Sequence, residues 1–387
     1  MNRFCSERLQ QVQTPIIPVV AALIRENPGT ISLGQGVVGY GPPPEAIERI
    51  SEFLRDPENH KYKPVQGIPQ LVEALRLKLA AENGIETSSK SIFVTAGGNL
   101  AFTNALLAIA DPGDEVILQV PYYFNHEMAI TMASCRPVLA PTDSNYQLQI
   151  RAIESAITSK TKAIVTNSPN NPSGAVYPAA ALRQVNDLCR ERGLYHIHDE
   201  AYEYFTYDGA EHFSPGSIPG ADSYTISLYS LSKAYGFASW RIGYMVVPEH
   251  LIQSVNKIQD TNLICAPVIS QYAALGALEA GRPYCQGHLA AIDDVRRLVL
   301  SHLAALEDIC EVPRVHGAFY FLLRLQTRMD PLALVEKLVR EHKVAVIPGT
   351  AFGLGDVCSL RLAFGSFGLD NAALALERLA GGLRAAL

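Results

Sequence analysis

From about residue 44 to about residue 250 the chain alternates short, apolar, β-rich runs with amphipathic helical stretches, and nothing else in it limits the fold as much. "SIFVTAGG" reads as a strand entering the helix "NLAFTNALLAIA". "DEVILQV", "TKAIVTN", "LYHIHD", "SYTISLYS" and "RIGYMVV" read as further strands, with helical stretches such as "PAAALRQVNDLCRERG" between most of them. Strands that are apolar along their length need cover on both faces, so the pattern predicts an α/β fold with a mostly parallel sheet between helices. Past about residue 280 the pattern changes: "YCQGHLAAIDDVRRLVLSHLAALEDI" reads as one long helix, and "GAFYFLLRL" and "CSLRLAFG" read as strands around the helix "PLALVEKLVREH". That is a smaller α+β unit. The first 40 residues are too few to fold alone and are expected to join it. The expected division is a large domain over 44–280 and a small domain made of 1–43 plus 281–387, which a chain of 387 residues is long enough to support.

Charge and cysteine usage narrow the function classes. A net charge of −6 argues against a surface for nucleic acid or anionic lipid. No apolar run reaches membrane-spanning length, and "MNRFCSERLQQVQ" lacks the apolar stretch of a signal peptide. The seven cysteines (Cys5, Cys135, Cys189, Cys265, Cys285, Cys310 and Cys358) are scattered and form no C-x-x-C pair. That usage suits reduced thiols in the cytoplasm.

The polar clusters fall where predicted strands end, the edge at which doubly wound sheets bind ligands. "TAGGNLAF" puts Gly97, Gly98 and Asn99 at a strand-to-helix junction, where glycines allow close approach and free N–H groups can receive a phosphate. The same residues would also serve as a plain turn and cap. "NSPNNPSG" (Asn167 to Gly174) is turn chemistry that also holds Asn171 beside the strand ends. "HIHDEAY" places Asp199 at a strand tip and Tyr202 one short turn later. Its Asp could simply cap the following segment. His196 and His198 share a strand face and would make a metal pair with Asp199 or Glu200, but no further ligand cluster has metal spacing. "GQGVVG" matches G-x-G-x-x-G, with Asp56 at a suitable distance. A dinucleotide site needs a helix opening at the third Gly, whereas "YGPPPEAIERI" follows and "HKYKPVQG" replaces the second strand. The last cluster, "SLYSLSKAYGFASWRIGY" (Ser227 to Tyr244), holds Lys233 and Arg241 in an otherwise interior-looking segment. Both cations could snorkel outward. The alternative is that Lys233 is held dry because its amine acts as a nucleophile, as Schiff-base lysines do.

In this order and spacing, Ser-x-Ser-Lys…Arg, Asn-Asn-Pro-x-Gly and Asp-x-Ala-Tyr resemble the class I/II aminotransferases of pyridoxal-phosphate fold type I, and the resemblance runs from Leu33 to the C-terminus. It implies a mostly parallel seven-stranded sheet sandwiched by helices, a smaller α+β domain and a homodimer with shared active sites. By that resemblance, Lys233 would carry the pyridoxal 5′-phosphate covalently and Asp199 would pair with its ring nitrogen. Asn171 and Tyr202 would hydrogen-bond its phenolic oxygen. Ser230, Arg241, Gly98 and Asn99 would hold its phosphate, with Tyr62 adding a bond from the neighbouring subunit. Tyr123 in "VPYYFNH" would stack on the ring. Arg361 in "SLRLAFG" would bind the substrate α-carboxylate, beside Gly36 in "LGQG" and Asn171.

The chemistry is coherent with these roles. A carboxylate at the ring nitrogen keeps it protonated, so the ring can accept electrons from a breaking Cα–H bond. Hydrogen bonds to the phenolic oxygen favour its ionised form. A freed Lys233 amine can shuttle the proton. Arg241 gives phosphate a forked, permanently charged partner. On this view Lys233 and Arg241 share an apolar segment because they hold opposite ends of one buried cofactor.

The chain also departs from its relatives. Ser239 stands where the family usually has Gly, "VVGYGPP" follows "LGQG" where many relatives have Pro-Asp, and Asn99 replaces a Lys of one aspartate-using subgroup. No clear second cation neighbours Arg361, which favours neutral or aromatic amino acids with a 2-oxo acid such as 2-oxoglutarate as partner substrate. The alternatives are an aspartate aminotransferase and a cysteine-conjugate β-lyase on the same cofactor. A non-catalytic regulator on this fold would need a DNA-binding extension ahead of residue 30, and the intact Lys, Asp, Asn, Tyr and Arg set speaks against it.

Overall fold

The computed structural model describes residues 6–387, so Cys5 lies outside the described residues. Seven strands form the central sheet: β1 (Ile92–Thr95), β2 (Glu115–Val120), β3 (Arg136–Pro141), β4 (Thr161–Asn167), β5 (Tyr195–Asp199), β6 (Thr225–Ser230) and β7 (Gly243–Val246). Their order is β1-β7-β6-β5-β4-β2-β3, parallel throughout except for β7, which runs against both neighbours. Side chains alternate between faces with the two-residue period of a strand. Val116 and Leu118 pack with Phe102, Ala105 and Leu106 of the helix Gly98–Ile109, while Ile117 and Ile164 pack with Val185 and Leu188 of the helix Ala179–Arg192. Each such burial contributes about 1.5–3 kcal/mol, which is why both faces are covered.

Sequence patterning does not mark β3. Its "RPVLAP" carries two prolines and stays partly exposed, features that an edge strand tolerates because one side of its backbone has no neighbour to bond.

Four antiparallel strands form a second sheet: β8 (Cys310–Glu311), β9 (Tyr320–Leu325), β10 (Ile347–Pro348) and β11 (Ser359–Ala363), ordered β10-β11-β9-β8. Ile31–Ser32 pairs with Val344–Ala345, and the Ala363 N–H donates to Leu33 O, which attaches the N-terminal segment to this sheet. The long helix differs from its expected extent. Helical residues run over Val268–Ala304, interrupted at Gly281, where φ is 64° and ψ −166°. Gly281 supplies the left-handed φ, and Pro283 just beyond suits a helix's first turn, where no N–H is needed. The helix ends at Ala304, and residues 305–309 form turns leading into β8. Among the described residues, no helix is long and apolar enough to cross a membrane.

Candidate active site

The C-terminal ends of β4, β5 and β6 lie side by side, with Asn167 opposite Asp199 and Asp199 opposite Leu228. The chain turns there because each strand runs into residues that do not continue it: Ser168-Pro169, the turns of 201–204, and the short helix Leu231–Ala234 capped by the Ser230 hydroxyl. A cavity opens over these ends. Gly36, Gly98, Asn99, Tyr123, Asn171, Asp199, Tyr202, Ser230, Lys233, Arg241 and Arg361 all line it. Tyr62 does not line it and is 80% exposed.

Lys233 sits at the centre. Its Nζ donates to the Gly36 carbonyl at 2.6 Å. Burial, followed by the nearby positive charges of Arg361 and Arg241, lowers its pKa from 10.5 to about 8, with Asp199 opposing. A usable fraction of the amine is therefore uncharged near neutral pH. Asp199 Oδ1 accepts from the Ala201 N–H at 3.0 Å, and its Oδ2 lies 3.1 Å from His126 Nε2.

At one end of the cavity the helix Gly98–Ile109 begins with no side-chain cap, leaving N–H groups and a positive dipole end open. Arg241 lies against this start. Its Nη1 donates to Ala238 O at 2.9 Å and its Nη2 to Ala96 O at 3.4 Å. Gly97 holds φ 84°, backbone that L side chains rarely adopt, and the space a Cβ would take there is filled by the Arg241 guanidinium. Arg241 itself holds φ 54°, left-handed backbone that a non-glycine residue adopts at some cost.

The opposite end is built on side chains. Arg361 is 2% exposed, donates from Nη1 to Asn171 Oδ1 at 2.9 Å and from Nη2 to Gly34 O at 2.6 Å, and keeps a buried Nε that has no hydrogen-bond partner among the described residues. Its guanidinium carbon lies 4.8 Å from the Tyr320 ring centre and 5.1 Å from that of Phe352. Burial lowers its pKa from the ordinary arginine value. Asn171 Nδ2 donates to the Tyr202 hydroxyl at 3.3 Å, and that hydroxyl lies 2.7 Å from the hydroxyl of Tyr320. Tyr123 donates to Asn99 Oδ1 at 3.3 Å and accepts from Asn125 Nδ2 at 2.7 Å.

Sequence reasoning missed His126, Tyr320 and Asn125. His126 is 3% exposed and stacks on Phe102 with ring centres 4.2 Å apart. Its one signal is its place three residues after Tyr123, one helical turn on. Tyr320 carries none, since it reads as one aromatic among several in an apolar strand. The histidine pair turns inward. His196 Nε2 and His198 Nδ1 both bond the Thr166 hydroxyl, at 2.7 and 2.6 Å, and Asn186 Nδ2 lies 3.1 Å from His196 Nδ1. Burial pushes the His196 pKa down to about 3. Among the described residues, no group of three or more His, Cys, Asp or Glu side chains is arranged to hold a metal ion.

The chain is similar to known proteins along nearly its whole length. The family model for aminotransferase class I and II matches residues 28–379. An aromatic aminotransferase of Arabidopsis thaliana is 34% identical over 98% of this chain and 96% of its own length. An aspartate/prephenate aminotransferase of Thermus thermophilus is 35% identical over 98% of both chains. Among solved structures, a mutant of Thermus thermophilus aspartate aminotransferase matches with TM-score 0.90 at 33% identity, covering 98% of this chain and 99% of that one. An aromatic aminotransferase from Pyrococcus horikoshii matches with TM-score 0.88 at 31% identity, covering 95% and 99%. Enzymes of this class depend on pyridoxal phosphate and share fold type I. With sequence, sheet topology and relatives in agreement along nearly the whole chain, the protein belongs to the aminotransferase class I and II family, whose enzymes move an amino group between an amino acid and a 2-oxo acid.

Proposed function

We propose that this aminotransferase holds pyridoxal 5′-phosphate in the cavity and prefers amino acids with neutral or aromatic side chains, passing the amino group to a 2-oxo acid such as 2-oxoglutarate. The observation that carries this is the buried Lys233 amine, with its lowered pKa, between Arg241 at one end and Arg361 at the other. The donor set fits the cofactor. The uncapped helix start, Gly98, Asn99, Ser230 and Arg241 suit a phosphate, and Asp199 suits a ring nitrogen. Tyr202 and Asn171 suit a phenolic oxygen, while Tyr123 offers an aromatic face. The unpartnered Nε of Arg361 is a spare donor for a carboxylate.

Bound there, the cofactor would supply an electron sink for the charge left when a substrate Cα–H bond breaks. The protein's own groups do the rest. Lys233 takes the Cα proton and returns it, with the Gly36 carbonyl holding the amine between steps. Arg361 grips the α-carboxylate and so fixes the direction of the Cα–H bond. His126, locked by Phe102 and Tyr123, steadies the Asp199 carboxylate.

Substrate preference follows from charge. Among the described residues, the cations lining the cavity are Lys233, Arg241 and Arg361, each with a role above, so none remains for a side-chain carboxylate. Ile17, Val37 and Phe124 give the cavity apolar walls. The same proposal includes a homodimer, because an exposed Tyr62 outside its own cavity is free to reach a neighbour's phosphate site. It includes a large domain over 44–280 and a small one of 1–43 plus 281–387, supported by the helix break at Gly281 and the pairing of Ile31–Ser32 with Val344–Ala345. A cytoplasmic setting accords with the free thiols of the described cysteines.

The test is a half-reaction screen, following cofactor absorbance as single amino acids are added without a 2-oxo acid. Phenylalanine, tyrosine, tryptophan, leucine or methionine is expected to react with higher kcat/KM than aspartate. A clear lead for aspartate would replace the proposal with the aspartate alternative. Pyruvate and ammonia released from a cysteine conjugate would favour β-elimination.

A further inference from the structure

Tyr320 opens β9, and its neighbour two residues on, Leu322, lies directly opposite Arg361 on β11. Tyr320 and Arg361 are therefore diagonal neighbours on one face of the small sheet. Tyr320 is 1% exposed and lines the cavity, where it makes two side-chain contacts and leaves no room for a side chain at Gly36. Its ring lies under the Arg361 guanidinium at 4.8 Å, its hydroxyl meets that of Tyr202 at 2.7 Å, and a Cβ at Gly36 would run into the same hydroxyl.

Counting protons gives the hydroxyl pair a direction. The Tyr202 oxygen already accepts from Asn171 Nδ2. Two phenols sharing one contact use one proton between them, and the accepting phenol keeps its own proton for another partner. If Tyr202 donated, the Tyr320 proton would have no acceptor among the hydrogen bonds of the described residues. If Tyr320 donates, its own proton is satisfied and the Tyr202 proton is left to point into the cavity, where the phenolic oxygen of the proposed cofactor would accept it. Accepting two hydrogen bonds also makes Tyr202 a stronger donor.

Resting on the function proposed above, we propose that Tyr320 is a positioning residue for amino transfer: its hydroxyl donates to Tyr202 so that Tyr202 can donate to the cofactor's phenolic oxygen, and its ring floors the arginine that takes the substrate carboxylate. A single side chain thus joins the cofactor-facing tyrosine and the substrate-facing arginine at that end of the site. The polar half of this role belongs to the hydroxyl and the recognition half to the ring, so two substitutions separate them. Tyr320→Phe keeps the ring and removes the hydroxyl, while Tyr320→Leu removes both.

The experiment uses the cofactor-loaded full-length protein, and its first readout is the pH at which the absorbance of the bound cofactor titrates without substrate. A weaker Tyr202 donor favours the ionised phenolic oxygen less, so Tyr320→Phe is expected to move this midpoint upward by about 0.5–1 pH unit. The second readout is KM across several amino acids. It should stay within about twofold for Tyr320→Phe and rise about tenfold for Tyr320→Leu, with no rise for an amine that lacks a carboxylate. Tyr320→Phe preserves the buried aromatic packing, so it tests the hydroxyl even if Tyr320→Leu folds poorly. An unmoved midpoint in Tyr320→Phe overturns the proposal. Wild-type protein that takes up no pyridoxal phosphate would instead overturn the function on which it rests.

Discussion

Arg241 and Arg361 line the same cavity, yet Arg241 is exposed and tied to two backbone carbonyls, whereas Arg361 is buried and tied to a side-chain amide, one carbonyl and two aromatic faces. The contrast is the one the proposed function requires between a permanent site and an exchangeable one. Around Arg241 the backbone does the holding, with a left-handed arginine, a glycine that leaves room and an uncapped helix start. Such a site suits an anion that arrives once and stays. Around Arg361 a donor is idle in a dry place, and leaving a buried guanidinium underused is costly. On the proposed function, an incoming carboxylate would relieve that cost, be bound the more firmly for it, and leave when the next substrate displaced it.

The largest effect is expected at neither arginine. Asp199→Asn keeps the size of the side chain but removes its charge, and single-turnover rates should fall on the order of a hundredfold or more. Cofactor and substrate affinities should change by no more than a few-fold. Rates near wild type would remove Asp199 from the chemistry. Next, Arg361→Lys should raise KM for amino acids and 2-oxo acids together by about 10- to 100-fold, because an ammonium cannot replace the fork. Cofactor affinity should hold. Arg241→Lys should do the reverse, loosening the cofactor while leaving KM near normal once cofactor is saturating. Equal loosening of cofactor and substrate by both substitutions would erase the distinction between the ends.

Lys233, between the two, offers a test by pH. Its folded pKa is near 8 and its ordinary value is 10.5, so between these the unfolded chain binds the extra proton. Stability of the cofactor-free protein should therefore rise with pH across that window, by on the order of 2–3 kcal/mol relative to Lys233→Met, and the burial cost should be fully present below it. Parallel unfolding curves for the two proteins from pH 7.5 to 10 would contradict this. The smallest effect belongs to Tyr62. Tyr62→Phe should weaken cofactor binding by about 1.5–3 kcal/mol at most. If Tyr62 crosses between subunits, a mixed dimer of Tyr62→Phe and Lys233→Ala chains regains one wild-type site. A mixed dimer whose active site binds cofactor as loosely as the Tyr62→Phe homodimer would place Tyr62 in its own subunit.

What the sequence made legible was whatever a short segment carries whole. Lys233 and Arg241 stand eight residues apart around one turn, and Asp199 and Tyr202 share one strand end. Each therefore has a local pattern. The sheet was legible for the same reason, since most of its strands carry a short apolar run bounded by turn residues. The rest depended on contacts between distant segments. Tyr320 meets Tyr202 across 118 residues and Arg361 meets Asn171 across 190, so no window of sequence contains either pair. The edge strand β3 hid behind its prolines. The helix break at Gly281 hid inside a pattern that is helical on both sides. His196 and His198 show the opposite case, a suggestive local pattern that lacked further metal ligands and is satisfied by Thr166 and Asn186 in the core.

The central claim is that Lys233 is the amine that joins the cofactor. Borohydride reduction of the cofactor-loaded protein, followed by peptide mapping, tests it in one step. The account predicts a single phosphopyridoxyl-labelled peptide containing Lys233 and no label in Lys233→Ala. Label on any other lysine, with Lys233 unmodified, would contradict it.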